Sequence, residues 1–219
     1  VGQIGSWERL YQEQIHSLCF SGLYEACDYL HVGINGNQPL PQVLPKMNLT
    51  INNNHFLESD TLKSLWDYAN NNENIKILYF HTKGLSREQF AYNVNAWRLY
   101  LEYFNIHNWK DCLSKLDKYD CVGTEWVLTS ALTDPSTNEP LIQHTPHYAG
   151  NFWWATSNYI KKLDPNYIYN PCKGWTKWKC ELWIGTKNPN HYNYFSTDDD
   201  PKYYYRTYSP EKYMLSLKD

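Results

Sequence analysis

The stretch "NIKILYFHTKGLS", Asn74 to Ser86, decides how this chain folds. Six residues of strand-type sequence, Ile75 to Phe80, run straight into His81, Thr82, Lys83 and Gly84. Ligands of open α/β sheets bind beyond the carboxyl ends of the strands. An imidazole, a hydroxyl and an ammonium therefore stand together where such a fold keeps its working groups, and Gly84 permits close approach of the backbone.

Working outward, the flanking segments alternate in period. From Trp7 to about Ser21 apolar residues recur at helical spacing, with Gly22 as a stop. A short turn at "SGLYEACDYL" feeds the strand "YLHVGING", and Met47, Leu49 and Ile51 alternate in a second strand. Asp60 is placed to cap a helix over "TLKSLWDYANNN", whose Leu62, Leu65, Trp66 and Ala69 share a face. After the "HTKG" stretch come a long helix, roughly Arg87 to Phe104, a shorter helix at "NWKDCLSKLDKY" and the strand "DCVGTEWVL". "TSALTDPSTNEPLIQHTP" reads as loop. "HYAGNFWWATSNYIKKL" reads as a strand-turn followed by a helix, and "KCELWIG" as a late helix. Helices alternating with strands predict an α/β fold with a mostly parallel central sheet flanked by helices. Neither an internal repeat nor a linker is evident, so residues 1–219 read as a single domain.

Composition narrows the function classes. With 42% hydrophobic and 20% charged residues the chain is globular rather than disordered. Twenty Tyr and ten Trp suit either an aromatic-rich core or a surface that grips sugars and extended polymers. A net charge of -3 with a pI near 6.2 argues against a nucleic-acid partner. No apolar run reaches membrane-spanning length, and the opening residues lack a signal-peptide pattern. A cytoplasmic location is therefore expected, with the secretory pathway as the alternative. The chain opens at Val1 rather than Met, which implies processing, an excised domain or preceding residues. None of the six cysteines lies in a Cys-x-x-Cys pair, so reduced thiols are expected and a structural zinc site is not. Asn48-Leu49-Thr50 is a glycosylation sequon.

The carboxyl-end rule places four segments on one rim: Gly33 to Asn37 with Asn35, His81 to Gly84, Thr124 to Trp126, and His147 to Trp154. A lone His is usually structural and a lone Lys usually solvated, yet both follow a strand that should be central. Lys83 would face a phosphate, with Thr82 and the turn amides donating hydrogen bonds. Arg98 reaches a phosphate or pairs with an acid. Asp198, Asp199 and Asp200 form a solvated turn or, with His191, a displaced metal site. His144 and His147 are three apart, but Pro146 prevents a regular helix presenting both.

Four segments carry a resemblance: "KILYFHTKG", "AWRLYLEYF", "YDCVGTEW" and above all "HYAGNFWWATSNYIKKL". Together they resemble a family of glycosyltransferases with a GT-A-like nucleotide-sugar fold. Its members occur in large DNA viruses, algae, plants and bacteria, and bacterial rhamnan-synthesis proteins are distant relatives. The resemblance runs from about Trp7 to Ile184. It implies transfer of a sugar from a nucleotide diphosphate sugar to a carbohydrate or glycoprotein acceptor, in the host cytoplasm if the protein is viral. About 1–125 would then bind the donor and about 126–219 the acceptor. In a GT-A enzyme the corresponding strand ends in Asp-x-Asp, which holds Mn²⁺ or Mg²⁺ on the donor diphosphate. Here His81, Thr82 and Lys83 stand in that place, so Lys83 is expected to replace the metal and no metal ligands are assigned. The donor side would comprise His81, Thr82, Lys83, Gly84, Arg98 and Asn35. The acceptor side would comprise His147, Gly150, Asn151, Trp153 and Trp154, one of the two Trp facing the cleft and the other the core. Glu181 is the expected general base of an inverting reaction, with Glu125 as fallback. Two rivals remain open: a sugar-binding module that has lost catalysis, and a metal-dependent hydrolase using His81, His144, His147 and the Asp run.

Overall fold

The computed structural model describes residues 7–35, 41–52, 58–83, 91–128, 132–133, 140–142, 145–169, 176–195 and 208–214. Helix α1, Trp7–Phe20, buries Leu10, Gln14, Ser17 and Leu18 along one stripe. Gly22, at φ 76°, turns the chain into the short α2, Leu23–Ala26. Strands β1, Leu30–Asn35, and β2, Met47–Asn52, pair in parallel, with Leu30 opposite Met47 and Asn35 opposite Asn52. Helix α3, Ser59–Asn71, connects them to β3, Lys76–Tyr79.

Helix α4, Ala91–Glu102, runs without a break into a π turn, Tyr103–His107, and α5, Trp109–Lys115, follows. Next come β4, Cys121–Gly123, and β5, Trp126–Leu128. Where a loop is expected, β6, Leu132–Thr133, and β7, Pro140–Ile142, form a small antiparallel pair. Strands β8, Pro146–Tyr148, and β9, Trp153–Thr156, precede α6, Ser157–Ile160, and α7, Asn166–Tyr169. Helix α8, Thr176–Leu182, tightens into a 3-10 turn, Trp183–Gly185. Strand β10, His191–Asn193, and α9, Pro210–Met214, complete the described elements.

The class is mixed α/β, as expected, but the pairing is less parallel than alternation alone implies. The four-stranded sheet has the order β10-β4-β9-β3, with β10 parallel to β4 and β9 antiparallel to both its neighbours. The cause is local. Gly150 at φ 94° and Asn151 at φ 58° take the left-handed conformation, and Asn151 N donates to Tyr148 O at 3.0 Å. That turn sends β9 back against the direction of β3 and β4. The sheet also interleaves β9 and β10 with β3 and β4, so the two sequence halves share one scaffold rather than forming separate lobes.

Helices cover both faces of this sheet, and the pleat of β9 shows how. Trp153 packs on one side with Leu62, Ala69 and Tyr159, stacking on Tyr79 at 5.2 Å. Trp154 packs on the other with Leu18, Leu23, Ile106 and Leu116. A third cluster gathers Trp97, Tyr100, Phe104 and Phe152 with Tyr208 and Tyr213. Two expectations change at α3. Asp60 does not cap it; Glu58 holds the N-cap position without a side-chain cap bond, and Asp60 accepts from the Tyr169 hydroxyl at 3.0 Å. Cys19, Cys27, Cys112, Cys121 and Cys180 are unpaired, and burial pushes the Cys112 thiol up to about 12. Cys172 lies outside the described residues. No helix among them is long and apolar enough to cross a membrane.

α3 lies almost on the backbone of β1. A Cβ built on Gly33 would fall 2.0 Å from Thr61 Oγ1 and 3.0 Å from Thr61 Cβ. Gly33→Ala should therefore cost about 1–3 kcal/mol by overpacking, lowering Tm by roughly 2–4 °C per kcal/mol for a chain of this size. Adding Thr61→Ala should recover part of the loss. Thermal melts of the three variants check this, and an unchanged Tm for Gly33→Ala would mean that the contact is not close.

Candidate functional site

Reversal of β9 brings its first residues beside the ends of two other strands, since Tyr79 and Gly123 both pair with Trp153. His81 to Lys83 after β3, Thr124 and Glu125 after β4, and Gly150 and Asn151 before β9 thus share one rim. Strand β1 and β3 are not paired to each other, and a cavity of about 1110 Å³ lies between them. At the rim its wall includes Asn35, Glu58, His81, Lys83, Asn151 and Glu181.

Glu58 is the hub. Its Oε2 accepts from the Tyr79 hydroxyl at 3.0 Å and from Asn151 Nδ2 at 2.7 Å. Its Oε1 lies 3.6 Å from His81 Nδ1. His81 Nε2 donates to Gly150 O at 3.1 Å, and Gln14 Nε2 donates to His81 O at 3.0 Å. The other side of the same glycine is held by Glu181, whose Oε1 accepts from Gly150 N at 2.5 Å. Lys83 places its ammonium 3.7 Å from the centre of the Trp97 ring, a cation–π contact. A Cβ on Gly150 would meet Leu101 Cδ1 at 2.6 Å, Trp97 Cζ2 at 3.1 Å and Lys83 Nζ at 3.4 Å. Glycine is therefore required here by space as well as by φ. Burial foremost, then the Glu58 charge, holds the Tyr79 hydroxyl well above its ordinary pKa, so it remains a donor to that carboxylate.

A family model described as a domain of unknown function, DUF8361, matches residues 41–171. The chain belongs to the DUF8361 family. No curated protein and no solved structure matches it. The DUF8361 span contains Glu58, His81, Lys83, Gly150 and Asn151, whereas Gln14, Asn35 and Glu181 complete the cavity from outside it.

The DUF8361 cavity collects Asn35, His81, Thr82, Lys83, Gly150, Asn151, Trp154 and Glu181 from the sequence-derived candidates. Others lie elsewhere. Arg98 is buried, its guanidinium bonded to Glu102 at 2.8 Å, Glu13 at 2.5 Å and Asn95 at 2.7 Å. It pairs with acids and does not reach the cavity wall. Glu125 is fully buried with φ 62°, and its Oε1 accepts from the Tyr100 hydroxyl at 3.0 Å. That geometry turns it toward α4 and away from an acceptor. Both Trp153 and Trp154 are buried, in place of the expected cleft-and-core division. Trp153 Nε1 donates to Asn151 Oδ1 at 2.8 Å, and Trp154 lies against the cavity while its Nε1 donates to Asn105 O at 2.8 Å. His147 is buried, its Nδ1 donating to Thr145 O at 3.2 Å. Gly84, His144 and Asp198 to Asp200 lie outside the described residues. Among the described residues no group of three or more His, Cys, Asp or Glu is arranged to hold a metal.

Sequence reading misses Glu58. An acid just before a helix looks like a capping residue, and attention went to Asp60 two positions on. The available signal was geometric: this helix start must abut the end of the strand it precedes.

Four imidazoles of the DUF8361 chain set its acid stability. Burial lowers the pKa of His31, His107, His147 and His191, and at His147 it outweighs the opposing charge of Glu181. Each binds its proton more readily unfolded than folded. This contribution to stability is present above the unfolded value near pH 6.5 and is lost as pH falls below it. Glu102, raised by burial above 4.5, works in the opposite sense at lower pH. Tm should therefore decline between about pH 7 and pH 5, and His147→Gln should flatten the slope. Melting curves across that range check it; a Tm that rises on acidification would contradict the burial of these rings.

Proposed function

We propose that this protein is a glycosyltransferase with a GT-A-like fold. It moves a sugar from a nucleotide diphosphate sugar to a carbohydrate or glycoprotein acceptor. One observation carries the reading: the Lys83 ammonium and the Glu181 carboxylate flank the same Gly150 turn on a single cavity. Sugar transfer with inversion needs that pair. A carboxylate takes the proton of the acceptor hydroxyl as its oxygen attacks the anomeric carbon. The bond from that carbon to the diphosphate breaks, and the nucleoside diphosphate leaves carrying the electron pair. A fixed positive charge stabilises the leaving diphosphate.

Lys83 takes the cationic role, Thr82 donates its hydroxyl to a phosphate oxygen, and Glu181 is the base. His81 and Asn151 are positioning residues in this reading, because Glu58 and the Gly150 carbonyl engage their polar atoms. The donors beyond β3 are an imidazole and an ammonium, which do not suit a hard divalent ion such as Mn²⁺ or Mg²⁺. No step is routed through one. A sugar-binding module without catalysis is the second reading, favoured by the hydrogen bond that already occupies Glu181 Oε1.

Thermal shift with UDP, GDP and dTDP, followed by a donor screen scored by released nucleotide, separates the two. Lys83→Ala should weaken nucleotide binding about tenfold to a hundredfold, the worth of one charge-assisted contact. Glu181→Gln should leave donor affinity near the parent value while kcat falls by about 10²–10⁴. A shift with glycans alone supports the binding module, and a Gln variant keeping most of its kcat removes Glu181 as base.

A further inference from the structure

The cavity does not end at the rim. Its wall continues down β1, α3 and β3 to Tyr29 and Tyr68. Tyr29 immediately precedes β1, and Tyr68 lies near the end of α3. Six residues of strand separate Tyr29 from Asn35 and nine of helix separate Tyr68 from Ser59, so this end stands about 15–20 Å from the rim.

The two rings lie 5.4 Å apart and 3° from parallel. They remain 40% and 42% exposed and belong to none of the three core clusters. Asn48 Nδ2 donates to the Tyr29 hydroxyl at 2.6 Å and holds that ring in place. An ordered aromatic pair left in water gives up side-chain entropy without the burial that normally offsets it. On the same cavity wall His31 Nε2 is buried with no hydrogen-bond partner. Burial favours the neutral ring, so one nitrogen can donate and the other accept. Flat apolar faces beside a buried polar atom of either sense match a sugar, which offers C–H faces and hydroxyls that both donate and accept.

We propose that Tyr29 and Tyr68 form a distal subsite for an oligosaccharide acceptor, with His31 bonding one of its hydroxyls. The chain lies along the cavity with its reacting end at the rim. This assignment rests on the transferase reading for the role of the rim, but the subsite binds sugar whether or not transfer occurs. The separation favours an oligomer, since a nucleoside attached to a diphosphate at Lys83 does not extend that far.

The test uses the full chain and calorimetric titration with cello-, xylo-, malto- and chito-oligosaccharides from di- to hexasaccharide. At least one series should bind more tightly with length. Tyr68→Ala should weaken the long members about tenfold, the scale of one lost aromatic contact, and leave the short ones unchanged. Tyr68→Trp, which keeps an aromatic face, should retain the gain with length, and UDP or GDP affinity should be unaffected in both variants. Binding of no series, binding without length dependence, or equal affinity in Tyr68→Ala would overturn the subsite. Loss of nucleotide affinity in Tyr68→Ala would also overturn it, assigning the rings to a nucleobase. Length-dependent sugar binding without any nucleotide response would leave the subsite standing and remove the transferase reading instead.

Discussion

Both polar atoms of Gly150 are gripped by side chains from different parts of the chain, and the rest of the site follows from that grip. Its carbonyl accepts from His81 beyond β3, and its amide donates to Glu181 on α8. A buried backbone group must be paired, and at a left-handed turn the regular ladders do not supply the partners. Meeting that demand with side chains draws the end of β3, the start of β9 and the last turn of α8 to one point. The reversal of β9 then allows three strands to deliver residues to the same rim. Without it the residues after β3 and those before β9 would lie at opposite ends of the sheet.

Charge in the interior is handled by multiplicity. Glu58 receives two neutral donors and faces an imidazole, while Arg98 is shared between Glu13, Glu102 and Asn95. Buried ions are costly unless most of their hydrogen-bonding capacity is met. Desolvation still dominates at Glu102, whose pKa is raised despite the adjacent guanidinium. The two networks differ in placement rather than in chemistry. The Arg98 network is enclosed and braces α4 against α1, whereas the Glu58 network borders a cavity and can meet a ligand.

Periodicity made the main elements legible. The stripes of α1 and α3, the alternation of β2 and the strand-turn at "HYAGNFWW" each survive in the structure because local pattern and burial agree. Pairing direction was not legible, since it depends on the φ values of Gly150 and Asn151 rather than on any hydrophobic period. The rim at His81 and Lys83 followed from the strand that precedes it. Arg98 and Glu125 misled because a charge in sequence does not reveal which neighbours will claim it. Glu58 was hidden for the same reason, its partners lying 21 and 93 positions away.

The π turn at Tyr103–His107 has a consequence for how α4 is wound. Asn108 N donates to Tyr103 O at 3.0 Å, five residues back, so the helix carries a wider loop than an α-helix would. Side chains reach two carbonyls there: Cys112 Sγ donates to Phe104 O and Trp154 Nε1 to Asn105 O. A residue removed from this segment would restore ordinary winding and rotate everything after it by about 100°, since one turn holds 3.6 residues. The indole of Trp154 would then face a different atom, and α5 would present another side to the sheet. Chain length at this point therefore acts as an indexing step, setting the angular phase between the helix that braces the rim and the one that covers the opposite face.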